Sequence, residues 1–411
     1  MSISTEKPAG GRDVPQAPEP PAGRGLTAGP AVLTALSILL ALMVGAVLIA
    51  VSDSEVQERA GYFFGRPQDT VSAAWTAVTE AYIALFEASV VNLGASSFTQ
   101  AVRPITETLV QGTPLVAAGL AVALAFRAGM FNIGAEGQII AASVAAAYVG
   151  FAWDLPVVLH LLVGIAAGLA GGALWGGIAG LLKARTGAHE VITTIMLNYV
   201  ARFGVAYLLA TSAFQREGRT DPISPPVAPT AELPLLLGSG FRLHLGFVLA
   251  LLAAVFVWWL LGRSTIGFKF RAVGANPHAA RTAGISVERS YTSVMLIAGA
   301  LAGLAGVSQV LGTEGYLTAG VSAGIGFDAI TVALLGRGSP LGTVLAGLLF
   351  GGLRAGGIGM QAQTGTPVDL VLILQALIVL FIAAPPLVRA VFRIRTSGAT
   401  GVGQLSKGWN G

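Results

Sequence analysis

The stretch Phe126 to Gln138, FRAGMFNIGAEGQ, lies between two long apolar runs. Within twelve positions it sets Arg127, Asn132, Glu136 and Gln138 among three glycines. Glu190, Asn198 and Asp328 interrupt other apolar segments in the same way. In such surroundings, groups of this kind can relay protons, hydrogen-bond a polar solute in transit, or tie helices together. A carboxylate at the centre of a bilayer costs about 2.5–3.5 kcal/mol on insertion scales. A lipid-facing Glu136 or Asp328 is therefore disfavoured, although this cost does not separate a structural role from solute contact. We take Asn132, Glu136, Gln138, Glu190, Asn198 and Asp328 as candidates for a pathway or its gate.

Nothing in the sequence points to covalent chemistry. There is no cysteine, so thiol chemistry and Cys-ligated metal are excluded, and His160, His189, His244 and His278 are scattered. GVSAG at Gly320 to Gly324 matches the nucleophile-elbow pattern, but that motif needs a strand-to-helix turn with His and acid partners, and neither is visible. No phosphate loop and no H-E-x-x-H metal motif occurs. We expect no catalytic residue, no metal and no cofactor on this chain. If it uses ATP, another subunit must bind it.

The elements that carry these residues follow from composition. Of the 411 residues, 54% are hydrophobic and 11% charged, where a soluble domain carries roughly 25% charged. The chain reads as an all-α polytopic membrane protein. Apolar runs near the roughly 20 residues that a helix needs to cross fall at about 30–51, 104–126, 133–151, 155–182, 190–210, 243–262, 291–312, 325–336, 340–356 and 368–385. That predicts about ten transmembrane helices, the eighth short and broken by glycines. The run at 30–51 is too long for a typical signal-peptide core. Residues 1–29 read as a disordered cytoplasmic tail, 30–390 as the transmembrane domain and 391–411 as a second cytoplasmic tail. With the N-terminus inside, cytoplasmic segments hold 16 of the 24 Lys and Arg, so the positive-inside rule favours both termini in the cytoplasm. Outer loops then fall at about 52–103 and 211–242. Within the first, Val71 to Val91 reads as an amphipathic helix on the membrane surface or against the bundle, with Glu80 and Glu87 on one face. Prolines in DPISPPVAPTAELP argue against helix in the second.

Gly164, Gly168, Gly172, Gly176 and Gly180 recur every fourth residue. That spacing bares one helical face for close packing in lipid. VALAFR at 122–127 echoes VALLGR at 332–337 at an offset of 210, which Gly137 and Gly347 keep. A parallel internal repeat and chance in an Ala/Leu/Gly-rich chain explain this about equally well. The cytoplasmic loop 263–290 carries ANPHAARTAGI. Asn276 can cap a helix, Pro277 suits its first turn, His278 to Thr282 would form it and Gly284 can end it. A positive-inside anchor is the plain reading; a short helix presented to a cytoplasmic partner fits the start and stop signals better.

GLAVALAFRAGMFNIGAEGQ, HEVITTIMLNYVA, FRAVGANPHAARTAGI and GFDAITVALLGRGSPLGTVLAG together resemble permease subunits of bacterial ABC importers. The family is the branched-chain amino acid and simple-sugar permease type, and the nucleoside or simple-sugar uptake branch is the most similar. The resemblance covers roughly 104–385. It implies a multi-pass permease of the bacterial cytoplasmic membrane, paired with a second permease that is identical or not. It further implies a cytoplasmic ATPase that binds ATP and Mg, and an extracytoplasmic substrate-binding protein, often a lipoprotein. Gly274, Asn276, Pro277, Ala280, Arg281 and Gly284 would form the helix that couples to the ATPase. A branched-chain amino acid permease and an ion-coupled carrier acting alone are the alternatives. In the opening stretch, Arg127 would end a descending span and Glu136 and Gln138 would start the next, near the inner face. Placed there, the stretch would serve as a cytoplasmic-side gate or hinge rather than a deep substrate site.

Overall fold

The computed structural model describes residues 30–393. The tail expected at 1–29 and nearly all of that expected at 391–411 lie outside the described residues. Fifteen α-helices follow in order among the described residues: α1 (Pro30–Ser52), α2 (Ser54–Ala60), α3 (Pro67–Ser89), α4 (Phe98–Arg127), α5 (Ala135–Ala152), α6 (Val157–Thr186), α7 (Glu190–Leu209), α8 (Gly246–Arg263), α9 (Thr265–Ala275), α10 (Pro277–Thr282), α11 (Val287–Val307), α12 (Ile325–Leu335), α13 (Pro340–Thr364), α14 (Asp369–Ala383) and α15 (Pro385–Val391). A π-helix, Ser308–Glu314, continues α11.

Eight of these helices are long and apolar enough to cross a membrane, and α14 with α15 makes a ninth crossing if their 93° bend is counted as one broken span. The expected eighth span is different. At 11 residues, α12 is about 16 Å long, half of a hydrocarbon core of about 30 Å. It is entered through the non-helical segment 315–324, which is bonded to the 211–242 segment, and it leads to Gly338 beside Arg127 at the opposite end of the bundle, so loop and short helix together take the place of one full-length helix.

Packing follows the side-chain pattern of each helix. From Gly112 to Ala125 every residue of α4 is buried, as suits a helix apolar on all sides. In α4 and α11 83% of the hydrophobic window is buried, against 22% in α6 and α7. The first two are therefore the central posts and the other two face outward. The glycine face of α6 lies against α11. A Cβ at Gly172 would sit 2.3 Å from Gly299 O, and one at Gly176 2.5 Å from Met295 O. The partner helix is bared in return, since a Cβ at Gly299 would sit 2.2 Å from Gly172 O. Gly168 and Gly180 meet Val307 and Met295, and Gly164 meets Leu311 more loosely, at 3.1 Å.

Both segments expected as outer loops engage the bundle. The helix α3 packs against the bundle, burying Ala81 and Ala84 while Glu80 stays exposed. Its Tyr82 hydroxyl donates to Leu42 O at 2.5 Å, halfway along α1. The segment 211–242 forms no helix but is bonded down as a cap: Ser224 N–H to Leu317 O (3.0 Å), Val227 N–H to Gly315 O (2.9 Å), Ala228 N–H to Gly150 O (2.8 Å) and Leu233 N–H to Leu311 O (2.7 Å). Buried His160 pins it further, contacting Thr230 Oγ1 at 2.8 Å and Val149 O at 2.9 Å. His244, 1% exposed at the end of the cap, accommodates its neighbours by staying neutral. Burial, aided by the Arg242 charge, pushes its pKa down to about 4.

Candidate functional site

The polar stretch after α4 does not return as helix at once. Gly129 turns the chain with φ +71°, and residues 128–134 run non-helical to α5. The first residues of α5 then meet the middles of their neighbours. Asn198, which holds them, is eight residues into α7, about 12 Å from its start. Gln138 lies against Gly176, ten residues before the end of α6, about 15 Å. The N-terminus of α5 is thus buried within the bundle, about 12–15 Å along its neighbours from the α6–α7 turn. Only Arg127 remains at the end of the bundle.

A helix that starts inside a bundle has N–H groups with no water to satisfy them. An amide clamp supplies the partners. Asn132 and Gln138 side chains exchange two hydrogen bonds of 3.0 Å, and Asn132 Oδ1 also accepts from Gly134 N–H at 3.1 Å. Asn198 Oδ1 accepts from Gly137 N–H at 2.9 Å, and its Nδ2 donates to Ile133 O at 2.9 Å. Asn132 is 0% and Gln138 1% exposed, so both are spent within the protein. Glu190 is separate again: it pairs with Lys183 at 2.7 Å in the α6–α7 hairpin and does not reach Glu136.

Glu136 and Asp328 form the part with chemistry left over. The N-termini of α5 and α12 converge so closely that a Cβ at Gly326 would lie 2.2 Å from Glu136 N. Glu136 Oε2 accepts from Gly326 N–H at 2.8 Å. Two positive helix ends thus share one carboxylate, which offsets its desolvation. One turn on, Asp328 faces Arg354 of α13 at 3.5 Å, and Arg354 donates to Ala323 O at 2.5 Å. The Asp328 and Arg354 side chains remain 28% and 21% exposed, and Phe131 and Phe327 are exposed as well. The result is a half-open face of two carboxylates and a guanidinium. Arg354 escaped the sequence reading, though an arginine inside the apolar run GGLRAGG carried the signal. Ser322 of GVSAG lies in the loop that leads into α12, after a π-helix rather than a strand. The hydrolase geometry is not formed.

The loop after α8 is more structured than its sequence indicated, with α9 preceding the short helix. Asn276 caps α10, its Oδ1 accepting from His278 N–H (2.9 Å) and Ala279 N–H (3.1 Å). Gly284 leaves with φ +79°, Ala280 is buried between Val273 and Val287, and Arg281 pairs with Glu288 at 2.5 Å. Gly274 rests on the α4–α5 turn, where a Cβ would come within 2.4 Å of Arg127 O. Arg127 Nε in turn donates to Gly338 O (3.0 Å) in the α12–α13 turn. The two echoed segments thus end side by side, and the loop with α10 touches the α4–α5 turn directly and the α12–α13 turn through Arg127.

A polytopic helical bundle with a polar face where α5, α12 and α13 meet is compatible with a transport pathway. Residues 105–383 match the family model described as branched-chain amino acid transport system / permease component. The chain is 43% identical over 297 residues, 72% of its length and 85% of the relative's, to guanosine ABC transporter permease protein NupP of Bacillus subtilis. It is 38% identical to glucose ABC transporter permease protein TsgB13 of Haloferax volcanii, over 68% of this chain and 75% of the relative. To nucleoside ABC transporter permease protein NupB of Lactococcus lactis it is 37% identical, over 68% of this chain and 79% of the relative. No solved structure gives a significant match. The chain belongs to this family of multi-pass ABC permeases, the transport rather than the ATP-hydrolysing component of such systems.

Proposed function

We propose that the chain is half of the membrane pathway of an ATP-driven importer of nucleosides, with a second permease forming the other half. An extracytoplasmic binding protein delivers the solute, and a cytoplasmic ATPase binds ATP and Mg and docks on α10. The α10 end and both termini are then cytoplasmic, in keeping with the basic residues clustered there. The observation that carries this reading is the Glu136–Gly326 contact between the N-termini of α5 and α12, linked through Gly274 and Arg127 to the α10 loop. A push on α10 moves the α4–α5 turn and the α12–α13 turn together. Their inner ends displaced, α5 and α12 part at Glu136, and the polar face opens to one side of the membrane and then the other. Coupling falls to Gly274, Asn276, Pro277, Ala280, Arg281 and Gly284. The Asn132, Gln138 and Asn198 amides hold the gate in shape, while Glu136, Asp328 and Arg354 line it.

The relatives named for guanosine and nucleosides support the substrate class. The face also suits it: carboxylates accept from ribose hydroxyls, and Arg354 donates to ring oxygens or carbonyls. A hexose is the second reading, favoured by the relative named for glucose and by the shared polyol chemistry. Proteoliposomes holding the permease pair, the ATPase and the binding protein should accumulate labelled guanosine with ATP inside, and glucose and leucine far less. Uptake by this chain alone on a proton or sodium gradient would overturn the importer reading. Preferential glucose uptake would overturn the nucleoside assignment.

A further inference from the structure

Away from the pathway, α6, α8 and α11 leave a groove of about 540 Å³, lined by Ile165, Leu169, Leu252, Phe256, Ala300 and Leu304 among others. A second hollow of about 340 Å³ continues it along α6 and α11 toward the α10 end, with Leu296 common to both. This lower hollow is lined by Leu181, Ala184, Arg185, Glu288, Arg289 and Thr292 among others. Among the described residues neither Arg185 nor Arg289 makes a side-chain hydrogen bond or ion pair. Glu288, the acid of the hollow, is already held by Arg281 at 2.5 Å. The nearby hydroxyls are also occupied as donors, Thr292 by Glu288 O (3.1 Å) and Ser293 by Arg289 O (2.7 Å). Two uncommitted guanidinium groups therefore stand, beside the Arg281-paired Glu288, at the polar end of a slot that is apolar beyond Leu296.

We propose that this groove binds one anionic glycerophospholipid, its phosphate between Arg185 and Arg289 and an acyl chain along α6, α8 and α11. The dimensions fit. Arg289 and Ala300 are eleven residues apart on α11, about 16 Å along the axis, which is one leaflet of a hydrocarbon core of about 30 Å. The outer wall suits lipid rather than a folded partner, since Leu252 and Phe256 of α8 are 57% and 41% exposed. The slot is clear of the Glu136 face, so the lipid acts on the scaffold of α6 and α11 rather than on the solute. On the orientation proposed above, it comes from the inner leaflet.

The test is native mass spectrometry of the purified importer equilibrated with equimolar phosphatidylglycerol and phosphatidylcholine of the same chain length. A basic residue at an anionic membrane surface contributes about fivefold in binding, so two predict a preference for phosphatidylglycerol of about 30-fold. Arg185→Gln or Arg289→Gln should each reduce it to about fivefold, and the double variant to parity. Ala300→Trp, which fills the slot without touching the charges, should lower retention of both lipids. A monodisperse complex on size exclusion, and retention of the preference in the Arg185→Lys/Arg289→Lys pair, show that the fold is intact. Unchanged preference in the double Gln variant overturns the proposal. So does a double variant that keeps its lipid but loses the ATPase on purification, which would assign the arginines to the ATPase surface. Loss of guanosine transport with lipid preference intact would instead count against the transport reading alone.

Discussion

Gly274→Ala probes the joint between the α10 loop and the pathway. The added methyl would meet Arg127 O at 2.4 Å, Ala128 C at 2.9 Å and Gly129 N at 2.9 Å. All three are backbone atoms, so no side chain can swing aside. Restoring the 3.0 Å that real contacts respect moves the joint by at least about 0.6 Å, and overpacking of this kind costs about 1–3 kcal/mol. Because Arg127 is tied to Gly338 O, the end of α4 resists and the α9–α10 loop gives way. The fold should survive with lowered thermal stability, while misplacement of a coupling element by a fraction of an ångström lowers transport strongly. The assay is paired: guanosine uptake and ATP hydrolysis in the same proteoliposomes. We expect uptake to fall about tenfold or more, since 1.4 kcal/mol is a factor of ten, with hydrolysis falling less. Gly187→Ala, at a left-handed glycine with nothing near its Cβ direction, controls for simple backbone strain. Uptake and stability equal to wild type in Gly274→Ala would refute the joint.

Three further outcomes follow from the same geometry. Gly172→Val should prevent assembly, because even a Cβ lies 2.3 Å from Gly299 O; a monodisperse variant of normal thermal stability would contradict the α6–α11 packing. Arg354→Met leaves Asp328 without its cation; removal of one partner costs about 3–5 kcal/mol for a buried pair and less here, where the side chains are 21% and 28% exposed, and Arg354→Met/Asp328→Asn should recover stability but not uptake, as thermal unfolding and transport measured together would report. His244 stays neutral in the folded cap, with its pKa lowered from 6.5 to about 4. A depressed histidine loses folded-state stability as pH falls below its unfolded value, so the drop between pH 7 and pH 5 should be about 2 kcal/mol; His244→Gln should flatten that slope in a thermal melt, and an unchanged slope would refute it.

Much of the bundle was legible because each helix advertises its surroundings. The apolar runs gave nearly every crossing, and the four-residue glycine period gave the bared face of α6. Asn276, Pro277 and Gly284 gave the start and stop of α10, because capping depends on the residues at a helix end. Other features were hidden. The helix α9 was missed because FKFRAV has no apolar stripe long enough to register. The half-length of α12 was visible only as a short run, and the rest of that passage is made by the non-helical segment 315–324. Arg354 stood in plain view in GGLRAGG but had no partner until α12 was placed beside it.

The partners of Glu136 were hidden for a physical reason. A polar stretch after a membrane helix is cheapest at the surface, and local sequence cannot report that distant groups have supplied a substitute for water. Asn198, 61 positions beyond Gly137, and Gly326, 190 positions beyond Glu136, provide those hydrogen bonds. By itself the sequence determined the class of the protein, its crossings and its loop with α10, because hydropathy, glycine periodicity and capping act over a few turns of one helix. Only the tertiary structure decided that α5 and α12 meet end to end, that Asn132 and Gln138 are spent on each other, and that Gly274 bears on the α4–α5 turn. Those facts rest on contacts between segments far apart in the chain, where the cost of burying a polar group is set by what packing brings to it.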